Sequence, residues 1–175
     1  MQRKSRIRRG RGRKVPSFYT LIMDQDLVRK LVNEAVEEND SLFLIELNFL
    51  PNNKIKVIVD GDEGISLKEC VRISRHVEHN LDREEEDFAL EVTSPDISQP
   101  LTVERQYKKN VNRILKVKTS EGEIEGTLVK ADEDGISLSW KAREPKPIGK
   151  GKVTVQKNAE IAYKDIKEAK VKITF

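Results

Sequence analysis

The stretch LEVTSPDISQPL, residues 90–101, is where the chain changes character. Before it, segments with helical spacing alternate with apolar strands. After it, the pattern is almost entirely short strands. Its leading part, FALEVTS (88–94), alternates as a strand, with Phe88, Leu90 and Val92 facing one way and Ala89, Glu91 and Thr93 the other. Pro95 and Pro100 stiffen the exit, and Ser94 and Asp96 are turn residues whose side chains can bond nearby backbone N–H groups. Three roles fit these residues: a catalytic turn with Ser94 as nucleophile, a binding loop, or a joint between domains.

Working toward the N-terminus, ISLKECVRISRHVEHNL (65–81) predicts a helix. Ser66 sits three residues before Glu69, the spacing of a capping box, and Cys70, Ile73, Val77 and Leu81 form its apolar stripe. LFLIELNFL (42–50) and KIKVIVD (54–60) are rich in branched apolar residues, and Pro51-Asn52-Asn53 between them predicts a hairpin. A first helix is expected over 24–39, with Leu27, Leu31, Val32, Ala35 and Val36 on one face and Asp24 or Asp26 as cap. The charge run Arg83-Glu84-Glu85-Glu86-Asp87 reads as a turn. The order is α-β-β-α-β, two helices packed on a small sheet.

Working toward the C-terminus, 101–113 reads as a short helical or irregular bridge. ILKVKT (114–119), EIEGTLVKA (123–131) and ISLSW (136–140) are expected strands. KAREPKPIGKGK (141–152), with two prolines, two glycines and no apolar pattern, predicts a mobile basic loop. VTVQ (153–156), AEIAY (159–163) and a turn followed by a last strand within 164–175 complete the pattern. Strands this short and this closely spaced predict a small SH3-like or Sm-like β-barrel, with Trp140 and Tyr163 filling it or lining a peptide groove. The expected class is therefore α+β. The expected segments are 1–22 as a basic disordered extension, 23–98 as an α/β domain, 99–113 as linker and 114–175 as barrel.

Composition agrees with two small, well-solvated domains, since 37% of residues are hydrophobic and 36% charged. The net charge of +3 hides an asymmetry. Residues 1–14 carry eight Lys/Arg and no acid, leaving 25 basic against 30 acidic residues over 23–175, a net of −5. The tail is either an arm that grips RNA phosphates or a segment foreign to the natural protein, with Met23 as the true start. An acidic body favours a basic protein partner over bare RNA. No apolar run is long enough to span a bilayer, and none reads as a secretory signal. The lone Cys70 can form no internal disulfide, which suits a reducing cytoplasm.

The candidate chemistry is thin. Ser94 lacks the glycines of a nucleophile elbow, and only His76 and His79 exist to serve it as base. Asp60, Asp62 and Glu63 resemble a carboxylate cluster but lack the longer ligand series of a calcium loop. His76 and His79 have no Cys or acid at zinc spacing on their face. Cys70 falls on an apolar stripe, as a structural thiol does. More suggestive is the cationic set Arg105, Lys108, Lys109 and Arg113 beside Tyr107. It is either a solvated bridge paired with the acidic run 84–87 or a contact to RNA or protein.

Taken in order, GISLKECVRISRHVEHNLD (64–82), FALEVTSPDISQPL (88–101), RQYKKNVNRILKVKTSEGEIEGTLVKADEDGISL (105–138) and EIAYKDIKEAKVKI (160–173) resemble the bacterial RimP family of ribosome maturation factors. The resemblance covers 24–175 and leaves 1–22 outside it. It implies a non-enzymatic, cytoplasmic assembly factor with an α/β domain followed by an SH3-like barrel. It implies binding to the immature free 30S subunit near the decoding region, through a basic ribosomal protein and ribosomal RNA. No cofactor, metal, membrane or small-molecule substrate is expected, and a monomer is. Where relatives commonly carry Gly after Ser-Pro this chain has Asp96, and where they commonly carry Arg before the last Pro it has Gln99. If that glycine needs a left-handed backbone, Asp is among the better replacements. The expected contact surface is Glu91, Ser94 and Asp96, with Arg105 and Lys109 beside it. Two other readings stand: a general RNA-binding module using the tail and the junction, and an enzyme on the 90–101 turn.

Overall fold

The computed structural model describes residues 23–81 and 87–173. The basic extension 1–22 and most of the acidic run 83–87 therefore lie outside the described residues. The first module runs α1 (Gln25–Glu37), β1 (Leu42–Leu50), β2 (Lys54–Gly61), α2 (Leu67–Asn80) and β3 (Ala89–Thr93). The second follows a short helix, α3 (Glu104–Lys109), with β4 (Ile114–Lys118), β5 (Glu123–Ala131), β6 (Gly135–Pro145), β7 (Lys152–Ala162), a 3₁₀ turn (Tyr163–Asp165) and β8 (Glu168–Val171). The fold is α+β, with the α-β-β-α-β order expected of the first half.

The Asp24 carboxylate caps α1 by accepting the Asp26 and Leu27 N–H groups, both at 3.1 Å. Its buried face is Val28, Leu31, Val32, Ala35 and Val36. Leu27, expected in that stripe, is 38% exposed instead. At 100° per residue the stripe is centred on positions 28, 32 and 35, and Leu27 falls outside its edge. The Ser66 hydroxyl caps α2 at the Glu69 N–H. The reciprocal half of the expected box is replaced, because the Glu69 carboxylate is engaged by Arg72.

β1 and β2 form the expected antiparallel hairpin, turned by Asn52 (φ 61°) and Asn53 (φ 52°). Asparagine tolerates this left-handed region better than most residues. A bulge between Leu44 and Glu46 changes the phase of β1. Leu42 and Leu44 face the helices before it, and Leu47 and Phe49 after it. α2 carries the chain across so that β3 pairs parallel to β2, giving the order β1-β2-β3. Ile55, Val57 and Val59 are fully buried under the helices, with Leu90 and Val92 of β3 packed against them. The alternate residues of β2 and β3 point to the sheet's other face.

The second module is a five-stranded antiparallel sheet of order β7-β6-β5-β4-β8. With the 3₁₀ turn between its last two strands, this is an SH3-like arrangement, open between β7 and β8 among the described residues. Its core is Leu115, Val117, Leu128, Ile136, Leu138 and Ala169, with Trp140 and Tyr163 packed against it. Tyr107 of α3 is buried in the same core, edge-on to Tyr163 at 5.2 Å.

One expectation fails here. Residues 141–152 are not a loop throughout: β6 continues to Pro145, β7 starts at Lys152, and the two pair without a break from Gly135↔Ala162 to Pro145↔Lys152. The separate strands 153–156 and 159–163 are one strand. Beyond Ala142, cross-strand pairing and not burial sustains this side of the ribbon, so 143–152 carry no apolar period.

Candidate functional site

The face of the first sheet that the helices leave uncovered looks onto the junction. Lys54, Lys56, Ile58 and Asp60 alternate onto it from β2, and Glu91 and Thr93 from β3. All of these but Lys54, with the turn that follows β3, Gln106 and Lys109 of α3, and Val171, line a cleft of about 670 Å³. Glu91, Ser94, Asp96 and Lys109 all line it. Arg105 is not in the lining and sits one turn back on α3.

Lys54 bonds Glu91 at 2.8 Å. That bond first, and then the charges of Lys54 and Lys56, hold the Glu91 carboxyl below its usual range. Asp96 accepts both the backbone N–H and the hydroxyl of Ser98 at 2.8 Å. These two bonds, the backbone one leading, lower its pKa. Its backbone is not left-handed: among described non-glycine residues only Asn52, Asn53 and Asn112 are. Asp96 therefore makes the turn through its side chain, and the expectation that it stands in for a left-handed glycine is not met. Ser94 and Gln99 are exposed.

Gln106, 4% exposed, turns its amide oxygen back to accept the Thr102 and Val103 N–H groups at 2.8 and 3.0 Å, which fixes the start of α3. That placement aims two cations at the first module. Arg105 binds both oxygens of Asp62, at 3.1 and 2.5 Å, and donates to the carbonyls of Asp40 and Leu42. Its guanidinium lies 4.8 Å from the Phe43 ring centroid. Lys109 reaches both oxygens of Asp60, at 2.6 and 2.7 Å. Among the described residues the partners of Arg105 and Lys109 are therefore Asp62 and Asp60, while most of the run 84–87 that one reading paired with this set lies outside the described residues. Asp60 was legible as a wall of the cleft, since it shares a strand face with Lys54 and Lys56. That Asp62 anchors Arg105 has no signal in the local sequence.

The enzymatic and metal readings find no support in this geometry. His76 packs in the helix layer, 3.8 Å from Glu34 and 3.6 Å from Glu38, on the other side of the sheet from Ser94. No histidine lines the cleft. Among the described residues no group of three or more His, Cys, Asp or Glu is set to hold a metal. Cys70 is buried, and burial pushes its thiol up, away from reactivity. No helix among the described residues is long and apolar enough to cross a membrane.

Fold and cleft define a two-module α+β protein whose modules are joined by a proline-bounded turn and a helix that ion-pairs across the junction. The family model for the RimP N-terminal domain matches residues 31–98. A protein of Christiangramia forsetii called ribosome maturation factor RimP is 59% identical over 153 residues, 87% of this chain and all of the relative. Proteins of the same name from Flavobacterium psychrophilum and Porphyromonas gingivalis are 49% and 33% identical, over 86% and 85% of this chain and 98% and 97% of theirs. The chain belongs to the RimP family.

Proposed function

We propose that this chain serves in ribosome maturation by binding the immature, free 30S subunit in the cytoplasm and assisting its late assembly, as a monomer and without catalytic chemistry of its own. The contact surface is the cleft at the junction. Glu91, Ser94 and Asp96 meet the partner, and Arg105 and Lys109 hold the opposite wall in place through Asp62 and Asp60. A basic ribosomal protein near the decoding region, with adjoining ribosomal RNA, fits the chemistry. The observation that carries this reading is that two carboxylates, Glu91 and Asp96, share one open cleft, and carboxylates are anionic at neutral pH. Charge complementarity of this kind steers encounter and makes binding salt-sensitive. The double variant Glu91→Ala, Asp96→Ala, with an unchanged circular dichroism spectrum, should co-sediment more weakly with free small subunits in a sucrose gradient. Undiminished co-sedimentation would remove the cleft from the contact surface.

A further inference from the structure

The β6–β7 ribbon takes no part in the cleft. Residues 141–157 hold six Lys/Arg and one acid, on a body that is acidic overall. Pairing sorts these charges by face. Lys141↔Gln156, Arg143↔Thr154 and Pro145↔Lys152 are directly opposed, and opposed residues project to the same side. That side therefore presents Lys141, Arg143 and Lys152 with the neutral hydrogen-bonding chains Thr154 and Gln156, all of them exposed. The other side carries Trp140↔Lys157, Ala142↔Val155 and Glu144↔Val153. The ribbon's single acid, Glu144, lies there and is ion-paired with Lys157 on the same side. Among the described residues Lys141, Arg143 and Lys152 have no carboxylate partner, whereas the lysines of β4 and β8 are paired with glutamates. At the ribbon's tip Lys146 and Lys150 add two more exposed cations.

We propose that this face of the β6–β7 ribbon is a phosphate-binding surface for double-helical RNA. A protein partner is anchored by desolvated aromatic and apolar side chains. Apart from Pro145 at its outer end this face offers none, but it offers cations and amide or hydroxyl donors, the groups that contact phosphate and sugar. Helical RNA hides its bases in a deep, narrow major groove and is read mostly by shape and backbone. A paired, extended cationic ribbon suits that backbone and discriminates little between sequences. The site is separate from the junction cleft and is tested on bare RNA, so its fate does not depend on the contact proposed there.

The test uses the full chain and an arbitrary RNA duplex of about 16 base pairs. Fluorescence anisotropy over about 50 to 200 mM KCl gives affinity and the salt slope. The triple variant Lys141→Gln, Arg143→Gln, Lys152→Gln is compared with Lys30→Gln, Lys68→Gln, Lys164→Gln, which loses the same charge elsewhere. The ribbon variant should bind roughly tenfold or more weakly at low salt, with a log–log slope shallower by about 2 to 3, and the control should stay close to the parent. Equal slopes and affinities for the two variants overturn the proposal. So does a ribbon variant that keeps its RNA affinity but loses binding to a poly-glutamate peptide, which would make the face a dock for acidic protein segments.

Discussion

Asp132 closes the turn between β5 and β6 with three donors. Lys130 bonds it at 2.7 Å, and the N–H groups of Asp134 and Gly135 each donate at 3.1 Å. The lysine bond first, and then the two backbone bonds, hold its pKa at about 2. The folded value lies below the unfolded one near 3.8, so what this network contributes is fully present above pH 3.8 and is lost as pH falls through about 2. A carbon-detected NMR titration of the Asp132 carboxyl should give a midpoint near 2, and Lys130→Met should move it back toward 3.8. A parent midpoint at 3.8 would show that these bonds are not kept in solution. The turn itself was legible from Asp132-Glu133-Asp134-Gly135, because such residues supply their own local acceptors. The same logic located the Ser94–Pro100 turn. It did not give the Asp96 conformation, because a side-chain turn and a left-handed glycine solve one problem with different backbones.

Among the elements, those with a core beneath them announce themselves. α1, α2 and β1 to β3 each bury one face, and their apolar periods follow from that burial. The bulge in β1 explains why LFLIELNFL keeps no single alternation, since its inward face changes phase midway, from Leu42 and Leu44 to Leu47 and Phe49. The outer half of the β6–β7 ribbon has no core on either side and reads as loop for that reason. Its base depends on close backbone approach. A Cβ on Gly135 would stand 2.3 Å from the Ile161 carbonyl oxygen and 2.9 Å from the Ala162 Cα. Both obstacles are backbone of β7 and cannot swing aside as a side chain would. Gly135→Ala should therefore destabilise the chain by about 1–3 kcal/mol, as overpacking does. Urea unfolding followed by Trp140 fluorescence should show the midpoint moving down. An unmoved midpoint would mean that the base of the ribbon can open without cost.

For the whole molecule the question is what couples two separate cores. Leu101 donates its N–H to the Ala169 carbonyl at 2.8 Å, and Tyr107 sits in the second core, so α3 travels with the barrel-like module. Arg105 and Lys109, four residues apart on that helix, then cross to the first. The two ties are not equivalent. Asp62 and Arg105 are about half and one-third exposed, and an exposed pair is worth about 0–1 kcal/mol and weakens with salt. The Asp60 side chain is only 6% exposed, and among the described residues its carboxylate accepts, besides Lys109, only the Gly61 N–H, at 2.9 Å. Removing one partner of a buried pair leaves the other charge stranded and costs about 3–5 kcal/mol. Lys109→Met should therefore drive the modules apart to let water reach Asp60. In ¹⁵N relaxation the two modules should then show different rotational correlation times where the parent shows one. Adding Asp60→Asn removes the stranded charge and should restore much of the common tumbling, a rescue that simple loss of packing would not give. A single correlation time in Lys109→Met would assign the coupling to Arg105 and the Phe43 ring beneath it.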